Sequence, residues 1–109
     1  MIRLRDLLER EILKRLPEVN ILFQNQMRLP NTTLLHFPRI YGESLSYFLG
    51  RKGVFVNQDL YLHRLAKEKI GESVVSFSLS RKTTEKEIFH AADSVKEVVD
   101  RLSLLVKDL

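Results

Sequence analysis

Cysteine is absent from all 109 residues, which excludes disulfides, thiolate metal sites and a cysteine nucleophile within this chain. Tryptophan is absent too, and the four glycines, at 42, 50, 53 and 71, are too scattered to build a phosphate-cradling loop. No apolar run approaches the roughly 20 residues that span a bilayer. The opening stretch, MIRLRDLLEREILKRL, mixes acids with bases where a secretory signal would carry an apolar block. These absences point to a reducing compartment such as the cytoplasm and to no membrane partner.

What remains is ordinary globular composition, 44% hydrophobic and 29% charged, in a chain sized for a single domain over residues 1–109. A chain of this length buries roughly 65% of its unfolded surface, enough for one modest core. Eighteen bases against 14 acids leave a net charge of +4. A nucleic-acid binder gathers such charge into one stripe. Here Lys14 and Arg15, Arg51 and Lys52, Lys67 and Lys69, and Arg81 and Lys82 are dispersed, mostly beside acids. The pattern reads as a solvated, mildly basic surface, with no nucleic-acid partner.

Apolar spacing divides the chain into elements. Leu4, Leu8 and Ile12, flanked by Leu7 and Leu16, predict a helix over 2–16, closed by Pro17. Val19, Ile21 and Phe23 alternate as in a strand. After the polar connection 24–30, residues 32–37 alternate again, up to Pro38. Residues 42–52 predict an amphipathic helix with Leu45, Phe48 and Leu49 as its stripe and Gly53 as its stop. Val54, Phe55 and Val56 predict a short strand, residues 59–69 a helix ended by Gly71, and 74–80 a strand. In that last strand Val75, Phe77 and Leu79 face one way, and Ser76, Ser78 and Ser80 the other. Thr84 with Glu87 forms a capping box, followed by period-3.6 apolar residues from Ile88 to Leu105. The sum is an α+β fold: a small mixed or antiparallel sheet of about four strands with helices packed on one face.

Little here carries chemistry. His36, His63 and His90 lack metal-ligand spacing. His90 reads as a flank residue of a packed helix face, and His36 could border a cleft. The serine face of the 74–80 strand could bind a ligand, but reads more simply as a face meeting water. Glu85 and Glu87 look like helix N-terminal charge rather than a catalytic dyad. No HExxH, Walker A or GxGxxG pattern occurs. Residue chemistry alone assigns no enzyme.

A longer pattern does point somewhere. Arg28-Leu29-Pro30-Asn31-Thr32, then His36-Phe37-Pro38, then Gly42-Glu43-Ser44-Leu45 resembles the RLPNT…SFPG…GEAL series of NifS-type cysteine desulfurases, in their small C-terminal domain. Ser78-Leu79-Ser80-Arg81-Lys82-Thr83-Thr84-Glu85-Lys86-Glu87-Ile88 is similar to that family's SLGRxTTEEEI. Gly53-Val54-Phe55-Val56 resembles the strand entering its active-cysteine loop.

The resemblance implies a fold-type I pyridoxal phosphate enzyme of the class V aminotransferase family, usually a homodimer. A large domain holds the cofactor, and the small domain supplies the cysteine that takes sulfur as a persulfide. The sulfur then passes to iron–sulfur scaffold or other acceptor proteins. By the same resemblance this chain departs at decisive places. The large pyridoxal phosphate-binding domain and its lysine are missing, so no cofactor is expected on this chain. Leu62 falls where the cysteine stands, and leucine carries no ionisable sulfur. Ser76 falls where the substrate-carboxylate arginine stands, and a neutral hydroxyl cannot replace a guanidinium clamp. Arg81 matches a second arginine and is the one substrate-binding candidate carried over; no residue is a catalytic or metal-ligating candidate. The expectation is a C-terminal domain of a cysteine desulfurase-like protein, inactive alone, or a stand-alone interaction module built on that fold. Its partners would be a large cofactor-binding domain, a homodimer mate, or an iron–sulfur scaffold or sulfur acceptor. Apolar surface left for such a neighbour is expected on helix 2–16 and in segment 59–69, with self-association as its consequence.

Overall fold

The computed structural model describes residues 2–22, 31–54, 56 and 73–107. The elements run α1 (Ile2–Arg15), β1 (Asn20–Leu22), β2 (Thr32–His36), α2 (Gly42–Arg51), β3 (Val74–Ser78) and α3 (Glu85–Lys107). The predicted helix over 59–69, the cysteine-matching Leu62 and His63 lie outside the described residues.

The sheet has the order β1-β2-β3 and is antiparallel throughout. Leu35 sits at its centre, opposite Ile21 on β1 and Val75 on β3. Alternation sends Leu35, Phe37, Val75 and Phe77 into one core with Leu8 and Ile12 of α1, Leu45 and Leu49 of α2, and Ile88, Ala92 and Val95 of α3. The opposite face carries Leu34, Val74 and Ser76, which are also buried but stand outside that cluster. The α+β class and the helices on one face therefore agree with the sequence reading.

Two local predictions need correction. Three strands are described rather than about four, because neither Val54 nor Val56 joins the sheet. The reason lies in the end of α2. The Val54 N–H donates to Leu49 O at 2.9 Å and the Gly53 N–H to Gly50 O at 3.1 Å, a Schellman closure with Gly53 at φ 80°. Val54's donor is thereby spent on the helix end, and its buried side chain joins the helix-side core. Phe48, expected in the stripe of α2, is instead exposed, while Leu45 and Leu49 take the buried line. Their i,i+4 spacing matches the helical repeat more closely than a residue 100° to one side.

The capping box forms as read. Glu87 Oε1 accepts from the Thr84 N–H at 3.0 Å, and the Glu87 N–H donates to Thr84 Oγ1 at 3.2 Å. Just before it, β3 ends at Ser78, and Ser80 begins a turn in which its N–H donates to Thr83 Oγ1 at 2.9 Å.

A second turn stores strain. Arg39 adopts φ 65°, with the Ile40 N–H donating to Phe37 O at 3.1 Å across it. Proline followed by a left-handed residue is a type II turn, which favours glycine at the second central position. The desulfurase-like pattern noted above has glycine at the place of Arg39. Left-handed geometry costs a side-chain-bearing residue roughly 1–2 kcal/mol, partly offset by the greater unfolded-state freedom of glycine. Arg39→Gly is accordingly expected to stabilise the fold by about 0.5–1 kcal/mol, read as a raised urea midpoint at unchanged slope.

Candidate functional site

β3 and the turn after it carry the positions singled out by sequence. Ser76 lies on β3 opposite Leu34 and is buried, contrary to the expectation of a serine face meeting water. Its neighbour on the same face, Val74, is fully buried, so the middle of β3 is closed while Ser78 and Ser80 remain exposed. Arg81 lies exposed in the turn between Ser80 and Thr83 and lines neither of the clefts described below. Neither of these two clefts brings Ser76 and Arg81 together.

His36 sits at the end of β2 on the Ser76 side of the sheet, half-buried. Asn20 Nδ2 donates to its Nδ1 at 3.2 Å, which leaves the ring proton on Nε2. Burial pushes its pKa below the ordinary imidazole value. His36 lines neither cleft. His90 is exposed rather than part of a packed flank, and its Nε2–H donates to Lys52 O at 2.9 Å, tying α3 to the end of α2. Both histidines have structural partners of this kind, and no group of acids and histidines among the described residues could hold a metal ion.

Pyridoxal phosphate requires a lysine for its carbonyl and a cradle for its phosphate. Among the described residues, Lys14, Lys82 and Lys86 are exposed, Lys52 pairs with Glu97 at 2.8 Å, and Lys96 pairs with Asp100 at 3.0 Å. None is fully buried, and Lys52, which lines the cleft between α2 and α3, is held by Glu97, so these described residues do not fit the cofactor.

Two clefts are open among the described residues. One, of about 350 Å³, is lined by Glu18, Val19, Phe37, Arg39, Val99 and Ser103, among others, and lies where the strained turn meets the later part of α3. The other, of about 460 Å³, runs between α2 and α3. Among the described residues of α1, Leu7, Leu8, Ile12 and Leu16 are buried against α3 and the sheet rather than forming the expected apolar surface. Exposed large apolar side chains are Tyr41, Tyr47, Phe48, Phe89 and Leu104.

Comparison with known proteins gives this arrangement a context. No protein-family model matches the chain. The cysteine desulfurase of Cereibacter sphaeroides is 32% identical to it over 114 residues, covering 94% of this chain and 30% of that protein. The Klebsiella pneumoniae cysteine desulfurase is 30% identical over 115 residues, covering 94% of this chain and 29% of its own length. The X-ray structure of a NifS-like protein from Rickettsia africae superposes with a TM-score of 0.80 at 29% identity, covering 91% of this chain and 28% of that one. The chain is a relative of the NifS-type cysteine desulfurases. It corresponds to a C-terminal-like region of them and spans less than a third of the length of the curated relatives it matches.

A charge network missed by sequence reading links α1 to α3 in this NifS-like fold. Arg15 of α1 donates to Glu11 Oε1 at 2.8 Å and, through Nε, to Asp93 Oδ1 on α3 at 3.0 Å. The i,i+4 spacing of Glu11 and Arg15 was visible; the reach to Asp93, 78 positions later, was not. The Arg15 hydrogen bond holds the Glu11 carboxyl below its usual value against the opposing effect of burial, helped by Lys14 and Arg10. Lys52 does the same for Glu97.

These shifts fix a pH dependence. A depressed carboxylate stabilises the fold above its unfolded pKa, and that contribution is lost as pH falls through the folded value. A histidine depressed by burial has the same sign, since the unfolded chain takes up its proton first. The melting temperature is therefore expected to fall from about pH 6.5 downward, and more steeply below about pH 4.5. Glu11→Gln should flatten the lower part of that curve, measured by thermal melts across the range. An equally steep acid limb in the variant would contradict the role given to Glu11.

Proposed function

We propose that this chain is a non-catalytic C-terminal domain of a cysteine desulfurase-like protein. Residues 1–109 form a single domain that folds by itself and offers one face to a large pyridoxal phosphate-binding domain. Sulfur mobilisation from L-cysteine for iron–sulfur cluster assembly belongs to the complete enzyme, where pyridoxal phosphate supplies the electron sink. The chain itself contributes scaffold. Homodimerisation, handover to an iron–sulfur scaffold or sulfur acceptor, and a cytoplasmic setting belong to the same reading. Arg81 retains at most a support of the turn before α3, with a substrate carboxylate as its ligand if the large domain is present.

One observation carries this proposal: a desulfurase-like fold over nearly the whole chain, with Leu62 and Ser76 at the positions that resemblance gives to the cysteine and the clamp arginine. The test is to incubate the purified chain with pyridoxal phosphate and L-cysteine, beside a complete cysteine desulfurase as positive control. No sulfide above the protein-free blank is the expected result. Release that scales with the amount of chain would overturn it.

A second reading, a stand-alone interaction module on the same fold, is favoured by the aromatic side chains left exposed on α2. It requires a defined complex in which no large domain takes part.

A further inference from the structure

The cleft between α2 and α3 has an unusual lining. Val98 and Leu102 of α3 and Phe48 of α2 supply its apolar surface, and Arg51, Lys52 and Arg101 supply the rest. Among the described residues no carboxylate lines it. Glu97, at the rim, pairs with Lys52 at 2.8 Å and reaches Arg101 at 3.8 Å, so one anion is shared between two cations. Arg51 forms no ion pair among the described residues. The Phe48 ring is 41% exposed and is braced edge-on by Tyr47, with centroids 5.2 Å apart.

A partly exposed aromatic ring beside Arg51, with Lys52 and Arg101 sharing a single carboxylate, gives the groove apolar surface and an excess of positive charge. We propose that this groove docks an acidic amphipathic helix of a partner protein. Helix-in-groove recognition uses apolar anchors at i, i+3 or i+4, and i+7, and a groove of about 460 Å³ has room for more than one aliphatic side chain. The anchors lie between Phe48 and Leu102, and the flanking carboxylates of the ligand helix face Arg51 on one wall and Arg101 on the other. The excess of positive charge selects the occupant. A second copy of this chain, itself at net +4, is repelled from such a groove. A concave slot flanked by two helices admits side chains rather than a flat lipid surface.

This surface is independent of the proposed function, because docking there requires neither a cofactor-binding domain nor any turnover. Sulfide release in the assay above would leave the groove in place, and a failure to dock would leave the catalytic silence untouched.

The test uses the full chain and a labelled helical peptide with leucine at i, i+4 and i+7 and glutamate at its flanks. A second peptide carries lysine in place of every glutamate. Fluorescence anisotropy is expected to give saturable micromolar binding of the glutamate peptide and none of the lysine peptide. Arg51→Glu and Phe48→Ser should each weaken binding about tenfold, and binding should decline as salt is raised, since the charges are solvent-exposed. Both substitutions lie at exposed positions, and circular dichroism melts establish that each variant is folded. Lack of saturation, equal binding of the lysine peptide, or binding indifferent to both substitutions would overturn the proposal. So would a dimer of the chain in sedimentation that dissociates as the glutamate peptide is added, which would assign the groove to a second copy. Adsorption of the chain to anionic vesicles without peptide binding would assign it to lipid and overturn the proposal equally.

Discussion

Ser76→Arg is expected to destabilise the fold by at least about 3 kcal/mol, although it restores the residue that the desulfurase-like pattern carries there. Ser76 is only 3% exposed and stands opposite Leu34, with fully buried Val74 as its neighbour on the same face. A guanidinium placed there loses its water, and the effective penalty for such a buried ion is several kcal/mol. Ser76→Met separates bulk from charge, because it adds length without an ion and should cost only about 1–3 kcal/mol as overpacking. Urea unfolding of the two variants beside the parent gives the comparison. If Ser76→Arg unfolds at the parent's midpoint, the middle of β3 is open rather than closed. The family's clamp could then be written back by a single substitution. The larger loss means that this edge has been repacked, not merely stripped of one side chain.

Leu35→Ala is expected to cost about 3–4 kcal/mol, the upper part of the range for truncating a fully buried leucine. Leu35 has no solvent exposure, pairs with both neighbouring strands, and touches the core shared by all three described helices. The cavity left behind cannot collapse easily, because the central strand is pinned by ladders on both sides. Domains of this size hold about 5–15 kcal/mol in all, so the variant should unfold at a much lower urea concentration, with unchanged slope if two-state behaviour persists. A loss under about 1 kcal/mol would mean that β2 is not the centre of the packing. The replacement Leu22→Ala, on the half-buried edge strand β1, should be far milder.

How far the fold was legible follows from the physics of each element. α1 and α3 were readable because a 3.6-residue repeat is written locally, and the Thr84–Glu87 cap marks a start without reference to anything distant. The first two strands and β3 were readable from alternation. The fourth strand was misread because Val54 and Val56 have the composition of a strand. Only the closing hydrogen bond to Leu49 reveals that the Val54 amide serves the helix end. Burial of Ser76 was illegible for a different reason. Alternation says which side chains share a face, but not whether anything covers that face.

The same divide runs through the candidate site. The resemblance read in the sequence sets Leu62, Ser76 and Arg81 against the family's functional positions. That Ser76 is closed off while Arg81 stands exposed in a turn required coordinates. The groove was half visible: Arg51 and Lys52 stood out as a basic pair, but their meeting with Arg101 is a contact between helices about fifty residues apart in sequence. Arg39 carries its own lesson, because only its backbone angle turns a departure from the glycine pattern into a measurable strain.

The proposal rests on a cysteine desulfurase-like fold whose described residues offer no site that would capture the cofactor. Borohydride reduction of the chain after incubation with pyridoxal phosphate, followed by peptide mass mapping, tests this most directly. The predicted result is scattered, sub-stoichiometric labelling of surface lysines, whereas one lysine labelled to near completion at low cofactor concentration would contradict it.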